Sequence, residues 1–133
     1  MKKIWIYHSA SFLGAFLLFQ IQPLMSKALL PLFGGSYLVW GACMVFFQGM
    51  LLLGYAYAHA AQARIGVARY SRFHRVALLL PLLFFPFNMD GVGSGYGAHG
   101  LPLSIEIFLI LLKTVGLPFL VVSTTSLFLQ SWL

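Results

Sequence analysis

Apolar residues run in four long blocks along this chain, at positions 4–26, 37–61, 73–89 and 103–133, and most of the glycine and charge falls between them. A bilayer core about 30 Å thick takes roughly 20 residues of helix, so each block reads as a transmembrane helix. The first is interrupted only by His8, small Ser residues, Gln20, Gln22 and, near its end, Pro23. Pro31 and the pair Gly34-Gly35 then predict a tight turn, with Ser36 placed to cap the second helix. The third block is short and holds Pro81 and Pro86, which predict a kinked helix. A loop with glycines at 91, 93, 95, 97 and 100 follows. The fourth block exceeds one straight crossing, and Gly116-Leu117-Pro118 predicts a break within it. The segment after that break reads either as the rest of one broken helix or as a re-entrant or interfacial piece. The fold class is an all-α integral membrane protein, residues 1–133 forming one membrane domain.

Composition sharpens this reading. Of the 133 residues, 61% are hydrophobic and 8% charged, against about 25% charged in an ordinary soluble domain. Four crossings use about 80 residues, which leaves no room for a soluble catalytic domain. The basic start before an apolar run resembles a secretion signal, but those apolar cores span roughly 7–15 residues. Here the run is longer and lacks a small-residue cleavage pattern, so an uncleaved helix is expected. Cys43 is the single cysteine, which excludes an internal disulfide and a thiolate metal cluster.

The net charge of +6 does not point to nucleic acid, because the basic residues are not spread over a polar face with stacking aromatics. Arg64, Arg69, Arg72 and Arg75 cluster in the segment 62–75, read as a loop that runs into the third block, while the segment 88–102 has no Lys or Arg. By the positive-inside rule the four arginines set the orientation: their segment and both termini are cytoplasmic in a bacterial inner membrane, multi-pass. Trp5, Tyr7, Tyr55, Tyr57 and Trp132 then fall near the inner interface, and Tyr37 and Trp40 near the outer. The pairs Ala10/Gly14 and Gly54/Ala58 have the small-xxx-small spacing that permits close helix approach.

Few residues carry chemistry. His8, His59 and His74 share the inner interface by this topology, and imidazoles at one depth can ligate haem, pigment or metal. No carboxylate supports any of them, so headgroup-level histidines are the preferred reading and no metal site is expected. Gln20, Gln22 and Gln48 read as amides bonding across helices rather than as a binding pocket. The run Ser123 to Ser126 reads as hydroxyls bonding back to helix carbonyls. Glu106 and Lys113 form the one intramembrane charge pair, seven residues apart and so on one helical face. Lys113 is expected to lean back towards Glu106, or to meet a partner's carboxylate.

Several runs are similar to a known family. Gln22-Pro23-Leu24, Phe33-Gly34-Gly35-Ser36 with Val39-Trp40, Phe46-Phe47-Gln48, Leu53-Gly54-Tyr55-Ala56-Tyr57-Ala58-His59, Gly116-Leu117-Pro118-Phe119, Ser123-Thr124-Thr125-Ser126 and Leu129-Gln130-Ser131-Trp132 resemble the membrane region of bacterial membrane-fused spermidine synthase-like proteins. Leu127 stands where that pattern has Pro. The resemblance implies a membrane module; the family's aminopropyltransferase domain, with its Gly-rich cofactor loop and acidic catalytic residues, has no counterpart in these 133 residues. Gly54, Arg64, Gly66, Arg69 and Arg72 also resemble, more faintly, the loop between the second and third helices of major facilitator transporters, with its acidic member missing.

The expected function is that of a non-catalytic membrane subunit, structural or accessory, within a larger respiratory or photosynthetic complex. The alternatives are a detached membrane module of a spermidine synthase-like protein and a transporter-like fragment acting as an oligomer. No catalytic residue and no cofactor are expected. Membrane lipids and other integral membrane proteins are the expected partners.

Overall fold

The computed structural model describes residues 2–35, 37–84 and 100–131, and the regular structure among them is helical throughout. Helix α1 covers Lys2–Leu29, α2 Tyr37–Ile65 and α3 Val67–Ala77, followed by a 3-10 turn at Leu80–Phe84. Helix α4 covers Leu103–Leu111, a π-helical turn Leu112–Gly116, and α5 Leu117–Ser131. Three stretches, Ile4–Leu29, Tyr37–Ile65 and Leu103–Thr125, are long and apolar enough to cross a bilayer. The chain is a membrane protein on that ground.

The turn between α1 and α2 forms as its sequence requires. Gly34 and Gly35 adopt φ of 80° and 66°, the left-handed region that a side chain resists. The Gly35 amide donates to the Leu30 carbonyl at 3.0 Å and reverses the chain.

The segment 62–75 departs from the sequence expectation of a loop. Helix α2 continues through Arg64 to Ile65, Gly66 takes φ of 81°, and α3 starts at once. The third helix, expected over 73–89, thus begins earlier and has its α-helical part end at Ala77. Pro81 accounts for that end, because its ring collides with the carbonyl four residues back, that of Ala77, in an α-helix. Pro86 and the rest of the expected third helix lie outside the described residues, as does the Gly-rich loop up to residue 99.

The break expected near Gly116–Pro118 is a widened turn instead. Residues 112–116 form a π-turn, and the rod continues into α5 with Pro118 just past it. A Cβ on Gly116 would lie 3.0 Å from Leu112 Cδ1, so this turn is closely fitted around the glycine.

The core lies between α2, α4, α5 and the second half of α1. Leu29, Val39, Cys43, Phe47, Ile107, Leu111 and Phe119 are fully buried. Phe47 tilts against Phe119 at 4.8 Å, and Phe46 against Phe108 at 5.7 Å. Phe46 thus meets Phe108 while Gly54, further along α2, meets Ser123. Helix α2 and the α4–α5 rod therefore run in the same direction. The first half of α1 stands apart: Leu18 is its first buried residue, and Trp5, Phe12 and Phe16 are exposed.

Candidate functional site

Two groups of polar residues are set by this packing, one within the last span and one where α3 meets α5.

Within the span, Glu106 is buried at the first turns of α4, and its Oε1 has no hydrogen-bond partner among the described residues. Lys113 is exposed. The bridge expected from their spacing does not form at that oxygen, for a geometric reason. In a straight α-helix a seven-residue step falls slightly short of two turns, which already sets Lys113 behind Glu106. The π-turn opening at Leu112 then leaves the α-helical register just before Lys113. Ten residues from Leu103, at 1.5 Å each, place Lys113 about 15 Å into the span. Gln48 is likewise exposed, eleven residues into α2 and about 16 Å along it. Gln20 on α1 is exposed too, and Gln22 is half-buried. Sequence reasoning assigned the amides to contacts within the bundle, whereas Gln20 and Gln48 point away from it.

At the other group, α3 lays Tyr70 and His74 against α5. Both are buried, with ring centroids 5.6 Å apart. His74 Nε2 lies 2.9 Å from Thr125 Oγ1. The Thr125 hydroxyl already donates to the Val121 carbonyl at 2.8 Å, so it accepts from His74, whose Nε2 carries the hydrogen of that bond. Burial pushes the His74 imidazole below its ordinary value of 6.5. Burial pushes the Tyr70 phenol above 10.0, Tyr57 adds to that, and the Thr124 hydroxyl partly opposes it. Beside this group a Cβ on Gly54 would collide with the Ser123 hydroxyl.

The hydroxyls of α5 bond back along the helix, as their sequence suggests: Ser123 to the Leu120 carbonyl at 2.8 Å and Thr124 to that of Val121 at 2.7 Å. Ser126 lies outside the residues whose side chains are described.

The three candidate histidines have different surroundings. His8 and His59 are exposed, His74 is buried, and among the described residues no three His, Cys, Asp or Glu side chains gather as a metal site requires. Arg64, Arg69, Arg72 and Arg75 are all exposed, on helix rather than on loop. Tyr70 was missed from the sequence; its spacing to His74 and Ala77, an i, i+4, i+7 stripe, is the signal that finds it. Of the two small-residue pairs, Gly54/Ala58 is buried, while Ala10 is exposed and a Cβ on Gly14 would meet nothing within 4 Å.

Comparison with protein-family models, curated proteins and solved structures finds no match.

Proposed function

We propose that this chain is a non-catalytic membrane subunit that packs, through polar groups turned away from its own core, against a neighbouring transmembrane protein. Lys113 carries the reading. An ammonium about 15 Å into a span costs about 2.5–3.5 kcal/mol on insertion scales unless it reaches water or a partner. The chain has two acids, Asp90 and Glu106. Glu106 is the one inside a span and is turned into the core. A second copy of the chain therefore offers Lys113 no exposed intramembrane acid, and the partner is a different protein that brings one. Gln48 and Gln20 face outward in the same way, and amides in membranes bond to neighbouring helices for about 0.6–2 kcal/mol each. The reading places the chain in a bacterial inner membrane with the arginine-bearing end in the cytoplasm.

Affinity purification in mild detergent, with mass spectrometry of the eluate, tests the proposal. A partner protein at fixed stoichiometry, lost with Lys113→Leu, is expected. Recovery of the chain alone from its native membrane would overturn it.

A second reading, a membrane module of a spermidine synthase-like protein, is favoured by one observation. Gly54 and Ser123, from two separate runs of the family-like pattern, pack directly on each other. In that case the partner recovered is an aminopropyltransferase.

A further inference from the structure

Helix α3 is the part of the molecule where charge and apolar surface meet. Its inner face, Tyr70 and His74, is held on α5. The face turned away from α5 carries Arg69, Arg72 and Arg75, all exposed. It also exposes Phe73 at 67%, Val76 at 66% and, just beyond the helix, Leu79 at 61%. A helix facing water alone has no use for three large apolar side chains among its arginines. A helix lying at the boundary of headgroups and acyl chains uses both, the guanidinium groups reaching phosphate and the apolar groups entering the hydrocarbon edge.

Position agrees with this. Helix α3 follows α2 directly through Gly66 and packs beside the second half of α5, so it sits at the end of the bundle where both spans run out. Among the described residues the one acidic side chain is Glu106, and it belongs to the opposite, starting end of the α4–α5 rod. We infer that α3 is a binding surface for anionic phospholipid headgroups, whose phosphates are held by Arg69, Arg72 and Arg75. Arg64 at the end of α2 adds to the same field. This surface is separate from Lys113, and the inference does not rest on the proposed partner.

The test measures lipid retention by the whole purified chain in detergent, by native mass spectrometry, after addition of phosphatidylglycerol or phosphatidylcholine. Wild type is expected to retain phosphatidylglycerol about tenfold more strongly, from a contribution of the order known for each basic residue near an anionic surface. That preference is expected to shrink as salt rises from about 0.1 M to about 1 M, where the screening length falls to about 3 Å. The triple variant Arg69→Gln, Arg72→Gln, Arg75→Gln should lose the preference, the Arg→Lys triple should keep most of it, and Lys113→Gln should leave it unchanged. Equal retention of the two lipids by wild type overturns the inference whatever the variants do, and this measurement needs no variant to fold. An equal loss of preference in Lys113→Gln overturns it as well. Displacement of the lipid by millimolar inorganic phosphate would assign the arginines to a free anion. Arginine-dependent binding of polyglutamate without lipid preference would assign them to an acidic protein; either result overturns the lipid surface.

Discussion

Replacing Gly54 by Ala probes the closest approach at any described glycine. The new Cβ would fall on the Ser123 hydroxyl and lie 3.3 Å from Ser123 Cβ and 3.7 Å from the Leu120 carbonyl oxygen. The hydroxyl can turn away only by giving up its 2.8 Å bond to that carbonyl. The remaining approach to Cβ is tighter than ordinary contact, so α5 must also move by a few tenths of an ångström. Overpacking of this kind costs about 1–3 kcal/mol. Ser123→Ala removes the colliding atom and strands no buried donor, so alone it should cost under about 1 kcal/mol. Combined with Gly54→Ala, it should recover most of the loss. The assay is reversible unfolding of all four proteins in detergent, read as a double-mutant cycle. A coupling of at least about 1 kcal/mol is expected. Gly54→Ala as stable as wild type, or a loss that Ser123→Ala does not relieve, would refute the placement of α2 on α5.

Docking of α3 should depend on pH at both ends of the range. His74 titrates below 6.5 when docked, so as pH falls the undocked helix takes up a proton first, and docking, complete above 6.5, weakens below it. Tyr70 titrates above 10.0 when docked, so the undocked phenol ionises first and docking weakens above 10.0. Exchange protection of α3 amides, corrected for intrinsic rates, should fall outside that window; constant protection from pH 5 to 8 would contradict it. Thr125→Val removes the hydroxyl 2.9 Å from His74 Nε2 and should weaken α3 docking by about 1 kcal/mol, with Thr125→Ser restoring it, both read from the same protection. Lys113→Leu and Glu106→Gln should act independently on yield and partner retention, to within about 0.5 kcal/mol, since Glu106 is buried and Lys113 exposed; strong coupling would support the intrachain pair. Reporter fusions after Gln62 and Leu133 should read as cytoplasmic and one near Ser94 as periplasmic; a cytoplasmic signal at Ser94 would invert the topology.

How much of this fold the sequence reveals depends on which force sets each feature. The three long spans and the Gly34-Gly35 turn are legible because apolar length and glycine conformation are local properties. The outcome at Gly66 is not, since one glycine between helical stretches suits a loop as well as a sharp helix junction. What decides it is the docking of Tyr70 and His74 on α5, a contact between residues far apart in sequence. The rod at 112–116 shows the same limit. Glycine and proline announce a disturbance, but whether the helix breaks or widens by a residue depends on the packing of Val115 and Phe119 in the core. That choice also settled the Glu106–Lys113 spacing, which follows from periodicity only while the helix stays regular. The outward aim of Gln48 was hidden for a related reason: α2 is apolar on almost every side, so its sequence does not say which face meets α5.

In the proposed assembly Gln48 and Lys113 face another protein rather than lipid. A photo-reactive benzophenone side chain at position 48, activated in the native membrane, tests this most directly. A covalent adduct with one different protein is expected, absent when the same group is placed at the buried Cys43. Adducts with lipid alone, or with a second copy of this chain, would contradict it.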